Sequence, residues 1–176
     1  MKYTKKPIIN TERLCLHAIT DKDANDVIEI LTNDEVCKTY LVPVFISRED
    51  ELKMFEALKQ RSVSNERFVY GIYLENNMIG FINDVGINDD EIELGYVIHP
   101  SQHNNGFATE VLTAAIQELF RMGYSVVKTG AFEENIASIR VMEKCSMVRL
   151  EQEEHIEYRG TVHRCIFFEK RKVSVG

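Results

Sequence analysis

One stretch constrains this chain more than any other. Residues 96–118, YVIHPSQHNNGFATEVLTAAIQE, begin as an apolar strand, cross a loop containing Pro, Asn and Gly, and enter a helix at Gly106, Phe107, Ala108 and Thr109. Ala108, Val111, Leu112, Ala115, Ile116, Leu119 and Phe120 recur at three- and four-residue steps and draw one apolar stripe down that helix. The helix is therefore buried on one side. Its first backbone N–H groups have no acceptor inside the helix and sit at the positive end of its dipole, an arrangement that binds anions, phosphates above all.

The rest of the chain supplies a frame for that unit. Residues 11–19 alternate as a half-buried strand. Asp21 can cap a helix carrying Ala24, Val27, Ile28 and Leu31, and residues 33–46, with Pro43 and isolated apolar side chains, read as a loop or broken helix. Ser47 caps a second helix, with Asp50 in its first turn and Leu52, Phe55 and Leu58 on one face. Residues 68–74 and 78–85 form a hairpin about Glu75, Asn76 and Asn77, residues 86–90 turn again, and 91–98 complete a meander. Gly123 ends the striped helix, and residues 126–132 make a strand beyond it, so that strand, helix and strand form a parallel crossover. A shorter helix over 135–145 turns Ile139 and Met142 inward, and strands at 148–158 and 161–169 close the chain through Arg159 and Gly160. The expected fold is a mixed α/β sheet, mostly antiparallel with one parallel pair and helices on both faces. Ligands bind at the carboxyl ends of such a parallel pair, which points to residues 98–109.

Composition narrows the class. With 176 residues the chain reads as one domain, 1–176, and 44% hydrophobic with 28% charged residues suits an ordinary globular protein. A net charge of -7, from 28 acidic and 21 basic residues, argues against a general nucleic-acid or anionic-membrane binder. It suits an amine-bearing partner, and it also serves plain solubility. Cys15, Cys37, Cys145 and Cys165 are scattered without metal-ligand or redox spacing, so no metal is expected. The first residues lack the apolar core of a signal peptide and no long apolar run follows, so a cytoplasmic location is the expectation.

The order of elements and three segments, TERLCLHAITDKDA, ELGYVIHPSQHNNGFATEV and ENIASIRVMEKCSM, resemble the GNAT superfamily of N-acetyltransferases, specifically the RimJ/RimL type that acetylates protein N-termini. The resemblance covers roughly residues 8–170. In that family the acetyl-CoA loop reads Gln or Arg, two residues, Gly, one residue, then Gly or Ala. Here it is His103, Asn104, Asn105, Gly106, Phe107, Ala108, with His103 in place of Gln or Arg and Asn104 in place of a frequent Gly. His103 can still donate to a phosphate, and Asn accepts left-handed backbone angles. A pyrophosphate needs several N–H donors converging at about 2.9 Å, and a nest of amides over 104–108 offers them without a metal. The resemblance implies a GNAT-like fold with a splayed parallel pair and acetyl-CoA as cofactor. It assigns cofactor contacts to Val97, Ile98, His103, Asn104, Asn105, Gly106, Phe107, Ala108, Thr109, Asn135 and Ser138.

Acetyl transfer from a thioester needs a neutral amine, an oxyanion donor and a proton for the thiolate. The resemblance implies that a backbone N–H at Val97 or Ile98 faces the thioester oxygen. Glu93 is the first candidate base, on the strand face shared with Glu91, Gly95 and Val97, with Asp84 second; the competing reading makes Glu91 and Glu93 a solvent face. The Tyr that serves many members as general acid is replaced by Met142, leaving Ser138, a water or Tyr158 for that role. Tyr96 and Phe107 read as packing aromatics. A protein N-terminal α-amine is the first expected substrate, a polyamine or aminoglycoside-like amine the alternative, and a non-catalytic acyl-CoA-binding module the competing class. The sheet edge left by the last hairpin could pair between subunits as a homodimer.

Overall fold

The computed structural model describes residues 5–173; residues 1–4 and 174–176, the short tails of the single-domain reading, lie outside it. Its strands are β1 Ile9–Asn10, β2 Leu14–His17, β3 Val69–Leu74, β4 Asn77–Asn88, β5 Glu91–Ile98, β6 Val126–Phe132, β7 Val148–Tyr158 and β8 Thr161–Arg171. They form one sheet in the order β1-β2-β3-β4-β5-β6-β8-β7, in which only β5 and β6 pair in parallel. The helices are α1 Ala24–Thr32, α2 Asp34–Cys37, α3 Arg48–Val63, α4 Phe107–Arg121 and α5 Ile136–Lys144. Among the described residues no helix is long and apolar enough to cross a membrane.

Alternation along the strands divides the core into two layers. On one face Ile82, Ile92, Leu94 and Ile98 pack with Val111, Leu112, Ala115, Ile116 and Leu119 of α4 and Met142 of α5. On the other, Val69, Tyr73, Phe81 and Val97 pack with Val27, Ile28 and Leu31 of α1 and Phe55 and Leu58 of α3. The α4 stripe is therefore what fastens the parallel crossover to the sheet, since each fully buried Leu or Ile contributes roughly 1.5–3 kcal/mol. Gly123, at φ 94°, ends that helix as expected.

Several local expectations are corrected. Asp21 lies in a 3-10 turn, Asp21–Asp23, and it is Asp23 that organises the start of α1, accepting from the Thr20 N–H at 2.7 Å, the Thr20 hydroxyl at 2.8 Å and the Tyr73 hydroxyl at 2.8 Å. Residues 33–46 are the broken helix and loop expected, the four-residue α2 followed by irregular chain. Ser47 does cap α3, receiving the Asp50 N–H at 3.3 Å, but Leu52 is 42% exposed and the inward face is Phe55, Leu58 and Ser62. β4 continues to Asn88, through most of the expected 86–90 turn, because a bulge lengthens it: Asp84 faces Leu94 and Gly86 faces Glu93, leaving Val85 as the extra residue. At the end of α5, Ser146 takes φ 55° and turns the chain out of the helix.

The parallel pair is short. β5 and β6 pair only from Glu91 with Val126 to Leu94 with Thr129. Beyond that level residues 95–98 stay with β4 and residues 130–132 go with β8, so the sheet opens between them, just past the Val85 bulge.

Candidate active site

The opening exposes one edge of β5. The His99 N–H donates to the Ile79 oxygen at 2.7 Å, in register with Phe81 opposite Val97 and Asn83 opposite Gly95. Backbone polar groups alternate sides along an antiparallel ladder, so Gly95 and Val97 turn theirs to β4 while Tyr96 and Ile98 turn theirs to the opening. Of the two residues expected to offer freed backbone, Ile98 turns its groups to the opening, where its oxygen meets His103 and its N–H is left, and Val97 turns its own to β4. The β4 and β5 backbones approach so closely here that a Cβ on Gly80 would lie 2.1 Å from the Val97 oxygen.

From Ile98 the chain enters the loop before α4, and its carbonyls are drawn inward one by one. His99 oxygen accepts from Gln102 N–H at 2.8 Å and Pro100 oxygen from His103 N–H at 3.1 Å. The Asn105 side-chain amide donates to the Gln102 and His103 oxygens at 3.1 and 3.2 Å, and Arg13 donates to the Asn105 oxygen at 2.9 Å. Asn104 at φ 63° and Gly106 at φ 79° supply the left-handed turns, Gly106 as the residue before the helix rather than in its first turn. The first helical bond, Glu110 N–H to Gly106 oxygen at 3.1 Å, leaves the N–H groups of Phe107, Ala108 and Thr109 ahead of it without helical acceptors. Carbonyls turned in and amides left outward make an anion cradle. His103 takes a different part from the one expected: its Nε2 donates to the Ile98 oxygen at 2.8 Å, tying the loop to the opening, so that nitrogen is not directed at an anion.

Across the opening stands the start of α5. Asn135 caps it, its Oδ1 accepting from the Ser138 N–H at 3.2 Å, and Ser138 Oγ lies 2.7 Å from the Tyr96 hydroxyl. Burial pushes the Tyr96 phenol well above its usual range. Met142 is fully buried and belongs to the core. Tyr96 thus does more than pack, and its side chain joins the exposed strand edge to the α5 cap.

Glu93 faces the other layer. It is half-buried opposite Lys128 in register, and its carboxyl is raised by burial and by Glu154 on β7, against an opposing pull from Lys128. Cys165 on β8 shares the effect: burial, with Glu154 and Glu93 nearby, pushes its thiol to about 11. Asp84, the second candidate base, is committed elsewhere, buried with its carboxylate on the Phe68 N–H at 2.8 Å and on Arg67 at 2.7 Å. Over Gly95, beside Glu93, crowd Val85, Asn83 and Tyr40, whose hydroxyl donates to Asn83 Oδ1 at 2.6 Å. The Tyr158 hydroxyl accepts from the Val42 N–H at 3.2 Å and from Arg159 Nε at 2.9 Å and lies 3.1 Å from the Tyr40 oxygen, which makes it a clasp on the 38–46 loop rather than a proton donor. Phe132 stacks on His163 at 4.3 Å to complete that wall, and His163 bonds Glu134. Neither Glu154 nor the pair Tyr40 and Asn83 stands out in the sequence as part of a site, for the sheet alone brings Glu154 near Glu93 and the other two over Gly95.

The family pattern of the acetyltransferase (GNAT) domain matches residues 13–148. The chain is a GNAT acetyltransferase. A curated relative, the uncharacterized N-acetyltransferase YoaA of Bacillus subtilis, is 31% identical over 143 residues, 78% of this chain and 81% of that protein. An acetyltransferase of the GNAT family from Bacillus anthracis superposes with a TM-score of 0.80 at 24% identity, covering 94% of this chain and 98% of the other. RimL, a ribosomal L7/L12 α-N-protein acetyltransferase solved in complex with coenzyme A, superposes at 0.78 with 18% identity, covering 94% and 98%. At these identities the two structures attest the fold. As a GNAT acetyltransferase the protein is an enzyme that uses acetyl-CoA, and a cradle of outward amides beside an open strand edge fits that cofactor.

Proposed function

We propose that this N-acetyltransferase transfers the acetyl group directly to the α-amine of a polypeptide, with no covalent enzyme intermediate. One observation carries the reading: a carboxylate with a raised pKa, Glu93, sits on β5 one residue short of the last level at which β5 and β6 pair. An α-amino group has a pKa near 8 and a Lys or alkyl amine near 10.4. A carboxylate base, even a raised one, is better matched to the first. The likeness to an L7/L12 α-N-protein acetyltransferase supports the same choice.

The roles divide between the two layers. The N–H groups of Asn104, Asn105, Gly106, Phe107, Ala108 and Thr109 hold the pyrophosphate, and the open β5 edge at Tyr96 and Ile98 pairs with the pantetheine arm, Asn135 lying across from it. Acetyl-CoA supplies the activated acetyl group. Glu93 takes the ammonium proton, directly or through one water, before the nitrogen attacks. A backbone N–H on the open edge bonds the carbonyl oxygen as it gains charge. As C–N forms and C–S breaks, Ser138 Oγ gives its proton to the sulfur and is reprotonated by the second proton that the nitrogen sheds on becoming an amide. With the Tyr96 hydroxyl as the donor of their 2.7 Å bond, the Ser138 proton is left free to point that way, so Tyr96 orients a donor that Met142 cannot replace.

The test is CoA release on three acceptors: a peptide with a free N-terminus, the same peptide N-blocked but carrying Lys, and spermidine or an amino sugar. Release with the first alone is the expected result. Turnover of the polyamine or amino sugar with none of the free peptide would overturn the α-amine assignment in favour of small amines, which the acidic surroundings of Glu93 would also suit.

A further inference from the structure

The loop that cradles the anion is aimed from behind. We infer that Arg13, just ahead of β2, is a positioning residue of the cofactor site: it sets the direction of the Gly106 amide and so the strength of the grip on the cofactor's phosphates. The inference rests on acetyl-CoA occupying this loop, as proposed above.

Arg13 reaches α4 and its loop from a strand more than ninety residues earlier, and every polar group it meets is one that orders them. Its Nε donates to Glu110 Oε2 at 2.8 Å, its backbone N–H to Glu110 Oε1 at 2.8 Å, and its Nη1 to the Asn105 oxygen at 2.9 Å. Nη2 lies 2.8 Å from Glu110 Oε2. The guanidinium carbon sits 4.5 Å from the centre of the Phe107 ring, and Nη2 lies 3.5 Å from where a Cβ of Gly106 would be. Thr11 adds its hydroxyl to Glu110 Oε1 at 2.5 Å. Burial would raise the Glu110 carboxyl, but the bonds from Thr11 and Arg13 hold it below its usual value, so the ion pair stays charged.

The consequence follows from peptide planarity. In a trans peptide the C=O of one residue and the N–H of the next point in opposite directions. Arg13 holds the Asn105 oxygen, so the Gly106 N–H is driven to the far side of the loop. The Asn105 side chain does the same two peptides earlier, holding the His103 oxygen and turning the Asn104 N–H outward. With Asn104 and Gly106 both left-handed, nothing in their own side chains fixes these peptide planes. Arg13 is the anchor of the 105–106 plane, as the Asn105 side chain is of the 103–104 plane, and a planar fork is needed to hold Glu110 and Asn105 at once, which a Lys cannot do.

Titration calorimetry with CoA, and with pantetheine, which lacks the pyrophosphate, separates this role from general support. Arg13→Met is expected to weaken CoA binding roughly ten- to hundredfold, the range of one charge-assisted hydrogen bond, while leaving pantetheine affinity and kcat at saturating acetyl-CoA unchanged. Arg13→Lys, which keeps the charge and the fold, is expected to lose most of the same affinity. CoA affinity equal to the wild type in Arg13→Lys, or a proportional loss of CoA and pantetheine in Arg13→Met, would overturn the inference. A wild type that binds no CoA would remove the underlying site and this inference with it, whereas a binding wild type with an unchanged variant removes Arg13 alone.

Discussion

The two sides of the opened sheet are built by different means. The proposed cofactor side is built chiefly on one run of chain, β5, loop and α4, in which backbone groups do the work: carbonyls tucked in, amides left out, a strand edge without a β6 partner. The acceptor side is assembled from side chains on segments more than a hundred residues apart, with the Tyr158 hydroxyl fastened to the backbone of residues 40 and 42. Backbone donors suit a ligand whose pyrophosphate and pantetheine never vary. Side-chain walls suit the partner that distinguishes one acetyltransferase from another, because a wall can change without disturbing the sheet.

The largest expected effect falls where the two sides meet. Glu93→Gln keeps the size of the side chain and removes the proposed base, so turnover with an α-amine should fall roughly a hundred- to a thousandfold near neutral pH. Because the carboxyl is raised, wild-type kcat/KM should climb with pH through that raised value, and the variant should lose this limb and recover part of its rate at high pH, where the amine is already neutral. Stability gives an independent check. A carboxyl whose folded pKa lies above its unfolded value binds its proton more tightly in the folded state, so its contribution to stability falls as pH rises past about 4.3. Glu93→Gln should therefore melt no lower than the wild type at pH 7. A uniform loss of rate at every pH would take Glu93 out of the base role.

How much of this was legible beforehand follows the same division. The α4 stripe and the parallel crossover stand in the sequence because periodicity and glycine placement are local signals, and Leu112 and Leu119 are buried as that pattern demands. The Val85 bulge was not legible, since one extra residue in β4 shows only against the β5 register. Asp84 looked like a base because its carboxylate lies one strand from Glu93, yet its partners, Phe68 and Arg67, are set by the β3–β4 pairing. His103 stands where the family places a phosphate donor, and only the folded loop brings its ring to the Ile98 oxygen. Arg13 lies inside TERLCLHAI, a segment that carried the resemblance, but nothing there reveals a partner at Glu110.

An intermediate effect should appear on the cofactor side alone. Gly106 holds φ 79°, and a Cβ there would meet only Arg13 at an ordinary 3.5 Å, so Gly106→Ala suffers from backbone strain rather than a clash. Left-handed backbone costs a non-glycine residue roughly 1–2 kcal/mol. If the loop relaxes to avoid it, the amides lose their aim, and the KM for acetyl-CoA should rise about tenfold with the KM for the amine unmoved. Equal changes in both constants would mean that the loop also shapes the acceptor side.

The smallest effect tests the opposite wall. Tyr158→Phe removes one hydroxyl and leaves the ring packed near Phe132, so the core is untouched. What is lost is the acceptor for the Val42 N–H and the contact with the Tyr40 oxygen, worth about 1 kcal/mol for a typical hydrogen bond. The 38–46 loop, no longer clasped to the hairpin, should sample more positions. Tyr40, which bonds Asn83 over Gly95, sits in that loop, so its freedom reaches the amine before it reaches the thioester. Steady-state kinetics should show a rise of about threefold in the KM for the amine, with kcat and the KM for acetyl-CoA within error of the wild type, because so small a loss shifts only the fraction of clasped molecules. An equal rise in the KM for acetyl-CoA would join the two sides into one mechanical unit, and the separation between backbone-built and side-chain-built halves would fail at its most sensitive point.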